Sequence, residues 1–327
     1  MRIQHVYISS WRGDVRFTRC AVASIRYWYP DIPISLIKDT GGGGDYDTGA
    51  IESHWRVGIY PSPRTRFGFA GKLEPLFGPA AERILVVDSD VVFLGPVLHV
   101  LSAFSEDFVV NGWDGREDLS GYFYDVERLR ELAPGFRGDE RAFNVGQLVA
   151  TSGVLQRDDF NGVVEFSEPP RLFRPDIFRN VDQGPLNYVV LGKHARRELT
   201  VRWHNYMWWA GDPGLEIDMR RLQGDADGGY PMLLHWAGFT TRQWRRLPHV
   251  GVLDWYERLF YSRIPHGGRR RLQALAGERA SAMLGGARRL NDATVKRLVG
   301  CTGAARQRAG RLARRIRGAA GANRLGA

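Results

Sequence analysis

The stretch ERILVVDSDVVFLGPV, from Glu82 to Val97, decides how this chain is interpreted. Its apolar run Ile84–Val87 has the composition of a buried strand, and two carboxylates, Asp88 and Asp90, follow at once. Residues two positions apart on an extended chain point to the same side, so both carboxylates can face one site. Like charges this close repel each other unless a cation lies near them, and a hard divalent cation suits such oxygen ligands.

The segments before this stretch predict an α/β sheet. IQHVYIS (Ile3–Ser9) and IPISLIKD (Ile32–Asp39) have strand composition, and the apolar residues of FTRCAVASIRYWY between them have helical spacing. A helix is also expected at FGFAGKLEPLF. Two strands joined through a helix form a parallel pair, and ligands of such sheets bind outside the carboxyl ends of the strands. The carboxylate pair is therefore expected at the binding edge of the sheet.

Two further Asp-x-Asp pairs are present, Asp45–Asp47 after four glycines and Asp225–Asp227 in QGDADGGY. About one such pair is expected by chance in a chain of this size. Both lie among turn-forming residues, and we interpret them as solvated turns. Only Asp88–Asp90 ends an apolar strand, so this is the pair that we assign to a metal.

Composition places the chain among globular proteins. It has 327 residues, of which 43% are hydrophobic and ten are Trp, enough for one large core or two modest domains. No run of about 18 uncharged apolar residues is present, and MRIQHVYISSWRGD lacks the apolar run of a signal peptide. The two cysteines, Cys20 and Cys301, form neither a disulfide framework nor a zinc spacing. We therefore expect a cytoplasmic protein.

Positive charge is concentrated at the carboxyl end. From Gly267 onward there are fifteen Lys or Arg and two acids, so this tail carries +13 and the rest −3 of the total +10. Apolar residues recur among the arginines at mostly helical intervals, as in helices that lie on anionic membranes. Nucleic acid is a weaker prediction, because the tail has no aromatic residue to stack on bases. A solvated, partly disordered tail is the remaining alternative.

Five motifs follow one another between Lys72 and Gly238. They read GKLEPLFGPAAERILVVDSD, FNVGQLV, VDQGPLN, VRWHNYMW and LLHWAG. In this order they resemble the motifs of GT-A-fold glycosyltransferases, and more specifically the retaining family 8, the glycogenin-like and lipopolysaccharide galactosyltransferase-like enzymes. The resemblance covers Met1 to about Leu247. It implies a Rossmann-like mixed α/β sheet flanked by helices, with residues 1–266 as the catalytic domain and 267–327 as a basic amphipathic, partly flexible tail.

The resemblance also implies a function. The family transfers a sugar from a nucleotide-sugar, most often a UDP-sugar, to an acceptor with retention of configuration, and here a glycan or glycolipid acceptor is expected. Mn²⁺ or Mg²⁺ would be held by Asp88, Asp90 and His235. A divalent cation neutralises the charge that develops on the departing diphosphate. An enzyme that builds a lipid-linked glycan has reason to associate peripherally with a membrane, so an anionic membrane surface is the predicted partner of the tail.

Further residues acquire roles from the resemblance. Asp182 would hold hydroxyls of the transferred sugar, and Gln183 would lie near its anomeric carbon. The residues expected to contact the nucleotide-sugar are Tyr7, Ser9, Asp39, Lys72, Asp88, Ser89, Asn144, Gly146, Gly238 and Arg242. The first three of these are assigned from topology, because they lie where the first two strands end. Arg242 takes the place of the family's lysine, and Gln243 that of its proline, which leaves the pose of the diphosphate open.

Apolar sugar faces stack on aromatic rings, and one short segment, WHNYMWW, supplies four of them. These are Trp203, Tyr206, Trp208 and Trp209. Core packing is the alternative for each of these residues. In the same way, His235 could be structural, Asp182 an N-cap, and Lys72 or Arg242 a surface charge.

Two other functions remain open from the sequence. VVDSDVV also resembles the nucleophile motif of haloacid-dehalogenase phosphatases, which require Mg²⁺. Those enzymes usually carry this motif near the N-terminus and follow it with a lysine and an acidic pair, and no convincing later set is found here. A non-catalytic binding protein with a basic tail is the third alternative, and the intact set of Asp88, Asp90, Asp182 and His235 argues against it.

Overall fold

The structure is a computed structural model. It describes residues 1–41, 44–61, 68–79, 81–112, 120–136, 142–179, 182–224 and 228–277. The chain divides into two units, Met1–Pro265 and His266–Ala327, and a helix over residues 267–277 is described in the second. The rest of the predicted tail, 278–327, and the pair Asp225–Asp227 lie outside the described residues. Within the described residues, no helix has both the length and the apolar character needed to cross a membrane.

The described part of the first unit contains twelve strands and eight α-helices. The strands are β1 (His5–Trp11), β2 (Ile34–Asp39), β3 (Gly58–Ile59), β4 (Arg83–Asp88), β5 (Val91–Phe93), β6 (Phe108–Asn111), β7 (Gln147–Thr151), β8 (Val164–Glu165), β9 (Arg171–Leu172), β10 (Val201–His204), β11 (Met207–Trp209) and β12 (Leu233–His235). The α-helices are α1 (Val15–Trp28), α2 (Gly49–Trp55), α3 (Val97–Leu101), α4 (Ser120–Phe123), α5 (Val126–Leu132), α6 (Gln183–Ala195), α7 (Met219–Leu222) and α8 (Val250–Ser262).

The centre of the first unit is a seven-stranded mixed sheet in the order β10-β6-β7-β4-β1-β2-β3. Strand β1 pairs in parallel with β2 and β4, whereas β7 is antiparallel to both β4 and β6. This sheet confirms the predicted fold class. Because β7 is reversed, its first residue, Gln147, lies opposite Val87 near the carboxyl end of β4. The FNVG motif that precedes β7 is thereby brought to the same edge as the carboxylate pair.

The predicted β1–α1–β2 unit is confirmed, with α1 joining two parallel strands. The apolar positions that predicted this helix, among them Phe17, Cys20 and Ile25, form its buried face. On the same helix, Arg16 forms a buried ion pair with Glu257 of α8, with 2.6 Å between Nε and Oε1. Charges removed from water are tolerated only when they are paired and hydrogen-bonded in this way. The ion pair therefore fixes how α8 lies on α1.

A second, three-stranded sheet in the order β11-β12-β5 brings distant parts of the chain together. Strand β5 begins just after Asp90, and β12 runs antiparallel to it with His235 opposite Val91. The N–H of Trp236 also donates to the carbonyl oxygen of Asp90 at 3.0 Å. His235 ends β12, and this pairing places it beside the carboxylate turn.

The segment before β4 is helical, as predicted for FGFAGKLEPLF. Gly68–Phe77 form a helix of the 3-10 type. Pro75 lacks the N–H that an α-helix needs, and the glycines of this segment have low helix propensity, so the α-helical ladder is disfavoured. The segment nevertheless buries Lys72, which is 2% exposed. The interpretation of Lys72 as a surface charge is therefore wrong.

Candidate functional site

Asp88 is the last residue of β4 and lies at the carboxyl edge of the central sheet. Its register partner on β1 is Ser9, and its N–H donates to the carbonyl oxygen of Gly146 at 2.7 Å. Val86, two residues earlier on the same face, belongs to the hydrophobic core. The strand therefore passes from core to polar site within two residues.

Asp88, Asp90 and His235 converge on one point. One potential ligand atom from each lies within 4.8 Å of the other two, and His235 Nε2 is 3.3 Å from Asp90 Oδ1. His235 is only 2% exposed, and its Nδ1 has no hydrogen-bond partner in the described part of the chain. Two carboxylates and an imidazole in this arrangement fit a divalent cation such as Mn²⁺ or Mg²⁺.

Protons compete with a cation for these groups. Burial alone would lower the pKa of His235, but the carboxylate of Asp90 and its hydrogen bond raise this pKa above its usual value. Burial raises the pKa of Asp88, although the charge of Lys72 opposes this effect. Because a metal binds only the deprotonated groups, metal affinity at this site should fall as the pH falls.

Gly146 leaves the space in which these side chains meet. A Cβ at this position would lie 2.3 Å from Cε1 of His235, 2.7 Å from Oδ1 of Asn144 and 3.0 Å from Oδ2 of Asp88. Oδ1 of Asn144 accepts a hydrogen bond of 2.7 Å from the N–H of Gly146, which holds the turn before β7. The predicted pair Asn144 and Gly146 therefore lies at the metal-ligand cluster.

Lys72 links the metal-ligand cluster to the carboxylate of Asp182. Its Nζ is 2.7 Å from Oδ1 of Asp88 and 3.0 Å from Oδ2 of Asp182, and both Lys72 and Asp182 are almost fully buried. Burial alone would lower the pKa of Lys72, but the charges and hydrogen bonds of the two carboxylates raise it. The lysine therefore stays charged and offsets part of the negative charge of the site.

Asp182 and Gln183 stand at the start of α6. Asp182 is its N-cap, and Oδ1 accepts a hydrogen bond of 2.8 Å from the N–H of Gln183. The capping alternative for Asp182 is thus confirmed, and its other oxygen still faces Lys72. Gln183 Oε1 is buried without a hydrogen-bond partner within the described residues. An amide oxygen left in this state at a site is available to a ligand.

Asn187 explains why the FNVG and DQGPLN motifs belong together. Its Oδ1 accepts from the N–H of Phe143 at 2.8 Å, and its Nδ2 donates to the carbonyl oxygen of Phe143 at 2.9 Å. Nδ2 also lies 2.8 Å from the carbonyl oxygen of Gln183. This fully buried amide fixes the loop that carries Asn144 against the start of α6.

Of the residues assigned to the nucleoside, Asp39 ends β2, but Tyr7 and Ser9 lie within β1, which continues to Trp11. The prediction that these two residues lie where the first strand ends is therefore wrong. Tyr7 is 9% exposed, stacks on His5 with 4.2 Å between ring centroids, and belongs to the core; burial raises its pKa to about 12. Asp39 accepts from the N–H of Gly41 at 2.9 Å. Beyond it, an open cavity of about 760 Å³ is lined by Lys38, Thr40, Gly41, Gly44, Asp45, Glu52 and Ile59.

Gly238 and Arg242 lie after β12 on the surface. Gly238 adopts a left-handed conformation with φ of +86°, which favours glycine. Arg242 is exposed on the 3-10 helix Thr241–Arg246. The structure therefore places Arg242 outside the buried cluster around Lys72.

The pair Asp45–Asp47 is the other Asp-x-Asp pair among the described residues. Asp45 forms an ion pair with Lys38, with 2.7 Å between Oδ1 and Nζ.

Asp14 is a site neighbour that the sequence analysis missed. Its carboxylate accepts from Nε1 of Trp11 and is hydrogen-bonded to Ser89, which is buried between the two metal-ligand candidates. Burial, together with the charges of Asp90 and Asp88, raises the pKa of Asp14 to about 6. No local pattern in the sequence points to Asp14, because it reaches the site through the pairing of β1, which ends just before it, with β4.

Comparison with known proteins identifies the fold. No protein-family model matches the chain, and no curated protein matches its sequence. The galactosyltransferase LgtC, solved in complex with donor and acceptor sugar analogues, matches with a TM-score of 0.51 and 15% identity, over 79% of this chain and 95% of LgtC. The bifunctional glycosyltransferase WbbM matches with a TM-score of 0.50 and 14% identity, over 80% of this chain and 52% of WbbM. The chain thus has the GT-A fold of glycosyltransferases.

Proposed function

We propose that the chain is a metal-dependent glycosyltransferase that moves a sugar from a nucleotide-sugar, most simply a UDP-sugar, to a glycan or glycolipid acceptor. The observation that carries this proposal is the cluster of Asp88, Asp90 and His235 at the carboxyl edge of a GT-A sheet. The fold alone would not suffice, because one fold can host many functions. A ligand set suited to a cation, placed where α/β sheets bind ligands, adds the chemistry.

Asp88, Asp90 and His235 would hold the cation, Mn²⁺ or Mg²⁺. When bound, the cation supplies positive charge that stabilises the departing diphosphate. Asp88 and Asp90 supply negative charge and oxygen ligands, and Gly146 keeps His235 close to them. The predicted contacts of Ser89, Gly238 and Arg242 with the nucleotide-sugar are part of this proposal.

Lys72, Asp182 and Gln183 would act on the sugar side of the cation. Lys72 holds the carboxylate of Asp182 in one position, at 3.0 Å. A carboxylate has about four lone-pair sites, so Asp182 can accept from sugar hydroxyls while it caps α6. Gln183 presents an amide oxygen that has no hydrogen-bond partner among the described residues. Neither residue is an obvious strong base, which suits retention, with the departing phosphate taking the proton of the acceptor.

The donor's nucleoside would lie at the ends of β1 and β2. Asp39 ends β2, Ser9 lies two residues before the end of β1, and the cavity next to β2 is large enough for a nucleoside. Tyr7 is more buried than this role requires, so we propose that it supports the site from the core.

Hydrolysis of a UDP-sugar panel tests the proposal without knowledge of the acceptor. We expect slow release of UDP that requires Mn²⁺ or Mg²⁺ and stops with a chelator. Asp90→Asn should lose this activity, whereas Asp31→Asn, which changes a carboxylate whose side chain is 89% exposed, should keep it. Hydrolysis that is unchanged by the chelator and by Asp90→Asn would contradict the proposal.

A further inference from the structure

Trp209 is the aromatic residue of the WHNYMWW segment that remains exposed near the metal-ligand cluster. Tyr206 is fully buried, and its hydroxyl donates to the carbonyl oxygens of Val109 and Gln147. Trp203 packs against the hydrophobic core, and Trp208 packs against Tyr230 with 5.3 Å between ring centroids. Trp209, in contrast, is 38% exposed.

The indole of Trp209 is held in place on several sides. Its Nε1–H donates to the carbonyl oxygen of Ala237 at 3.1 Å. Its ring folds over Gly211, where a Cβ would lie 2.4 Å from Cζ2. Phe239 lies beside it, with 6.4 Å between ring centroids and 33° between ring planes. The ring is therefore fixed in advance, which lowers the entropy cost of binding a ligand to it.

This aromatic pair is adjacent to a metal-ligand candidate. Trp209 is the register partner of His235 in the β11–β12 pair, and the N–H of Ala210 donates to the carbonyl oxygen of His235 at 2.9 Å. Neighbouring strands lie about 4.8 Å apart, roughly the width of one sugar ring. A pyranose resting on Trp209 would therefore lie next to the cation and the sugar that is transferred.

We propose that Trp209 and Phe239 form the platform on which the acceptor stacks, and that the acceptor ends in a pyranose ring. The inference rests on the proposed glycosyltransferase function. The apolar face of a pyranose covers an exposed indole, and the hydrogen bond to Ala237 fixes the orientation of that indole relative to His235. Trp209 would thus be a specificity-determining residue for the acceptor that leaves donor binding unchanged.

Saturation-transfer NMR with a panel of methyl pyranosides, in the presence of Mg²⁺ and UDP, tests this proposal. We expect at least one pyranoside to bind through its axial C–H protons. Trp209→Ala should weaken its affinity by about three- to tenfold, the usual value of an aromatic contact, and Trp209→Phe should retain most of it. Phe173→Ala removes an aromatic residue that is 54% exposed in another part of the chain and is the matched control.

Calorimetry of UDP with Mg²⁺ on the same variants distinguishes failure of the acceptor platform from failure of the proposed glycosyltransferase function. UDP should bind the wild type, Trp209→Ala and Trp209→Phe equally, which also shows that the variants fold. Two results would contradict the platform when UDP binds. Either pyranosides bind Trp209→Ala and the wild type with equal affinity, or they bind none of the proteins. If UDP does not bind the wild type, the proposed function fails and the platform with it.

Discussion

Replacing Gly146 with alanine would test the geometry of the site with a single methyl group. The added Cβ would lie 2.3 Å from Cε1 of His235 and 3.0 Å from Oδ2 of Asp88. Carbon atoms pack at about 3.5–4.0 Å, so the imidazole would have to move by about 1 Å or more. Metal–ligand distances vary by only about 0.2 Å, so the displaced ring could no longer bind the cation in the same way.

We expect Gly146→Ala to lose about 10- to 100-fold in Mn²⁺ affinity, the range seen when the groups that orient metal ligands are altered. Overpacking should cost about 1–3 kcal/mol of unfolding free energy. Calorimetry with Mn²⁺ in the presence of UDP measures the first effect, and thermal unfolding measures the second.

Gly251→Ala is the matched control for this experiment. Gly251 lies in α8, and apart from its chain neighbours and the backbone of its own helix no described heavy atom lies within 4 Å of a Cβ at that position. The control should bind Mn²⁺ as the wild type does. Equal Mn²⁺ affinity in Gly146→Ala and Gly251→Ala would show that Gly146 does not make room for the metal ligands.

Three further changes probe charge and the tail. Lys72→Met should lower the unfolding free energy by about 3–5 kcal/mol, because Asp88 and Asp182 lose a buried partner; denaturant unfolding without metal measures this, and an unchanged midpoint would contradict it. The pKa of Asp14 is about 6 in the folded protein, against an ordinary value of 3.8 for an aspartate. Ionisation of Asp14 therefore lowers the unfolding free energy by up to about 3 kcal/mol. This cost is absent below about pH 4 and complete above about pH 6, so Asp14→Asn should stabilise the metal-free protein at pH 7 but not at pH 4. Deleting residues 267–327 should abolish salt-sensitive sedimentation with anionic liposomes but leave UDP-sugar hydrolysis intact; loss of hydrolysis on deletion would assign the tail to the enzyme core.

The sequence alone predicts the position of a site residue where the local pattern and the topology of the sheet agree. An apolar strand that stops at Asp88 predicts its place at the sheet edge, and the structure has β4 end there. The N-cap alternative for Asp182 places a helix start at the next residue, and α6 begins at Gln183. In both cases the periodicity of a few neighbouring residues determines which element forms and where it ends.

The sequence was insufficient where the outcome depends on pairing between distant segments. The contact of Lys72 with Asp182 requires the 3-10 helix and α6 to meet, which no local pattern encodes. The contact of Asp14 with Ser89 depends on the alignment of β1 with β4. The four aromatics of WHNYMWW look equivalent in sequence, and only the packing of each separates the buried Tyr206 from the exposed Trp209.

We propose that Asp88, Asp90 and His235 hold a divalent cation that contacts the donor diphosphate. Crystals grown with Mn²⁺ and UDP, with diffraction recorded near the manganese absorption edge, would locate this cation. We expect one anomalous peak within bonding distance, about 2.0–2.3 Å, of a carboxylate oxygen of each aspartate and a ring nitrogen of His235, with diphosphate oxygens completing the coordination. UDP bound without an anomalous peak at these residues, or a manganese ion bound elsewhere on the chain, would contradict it.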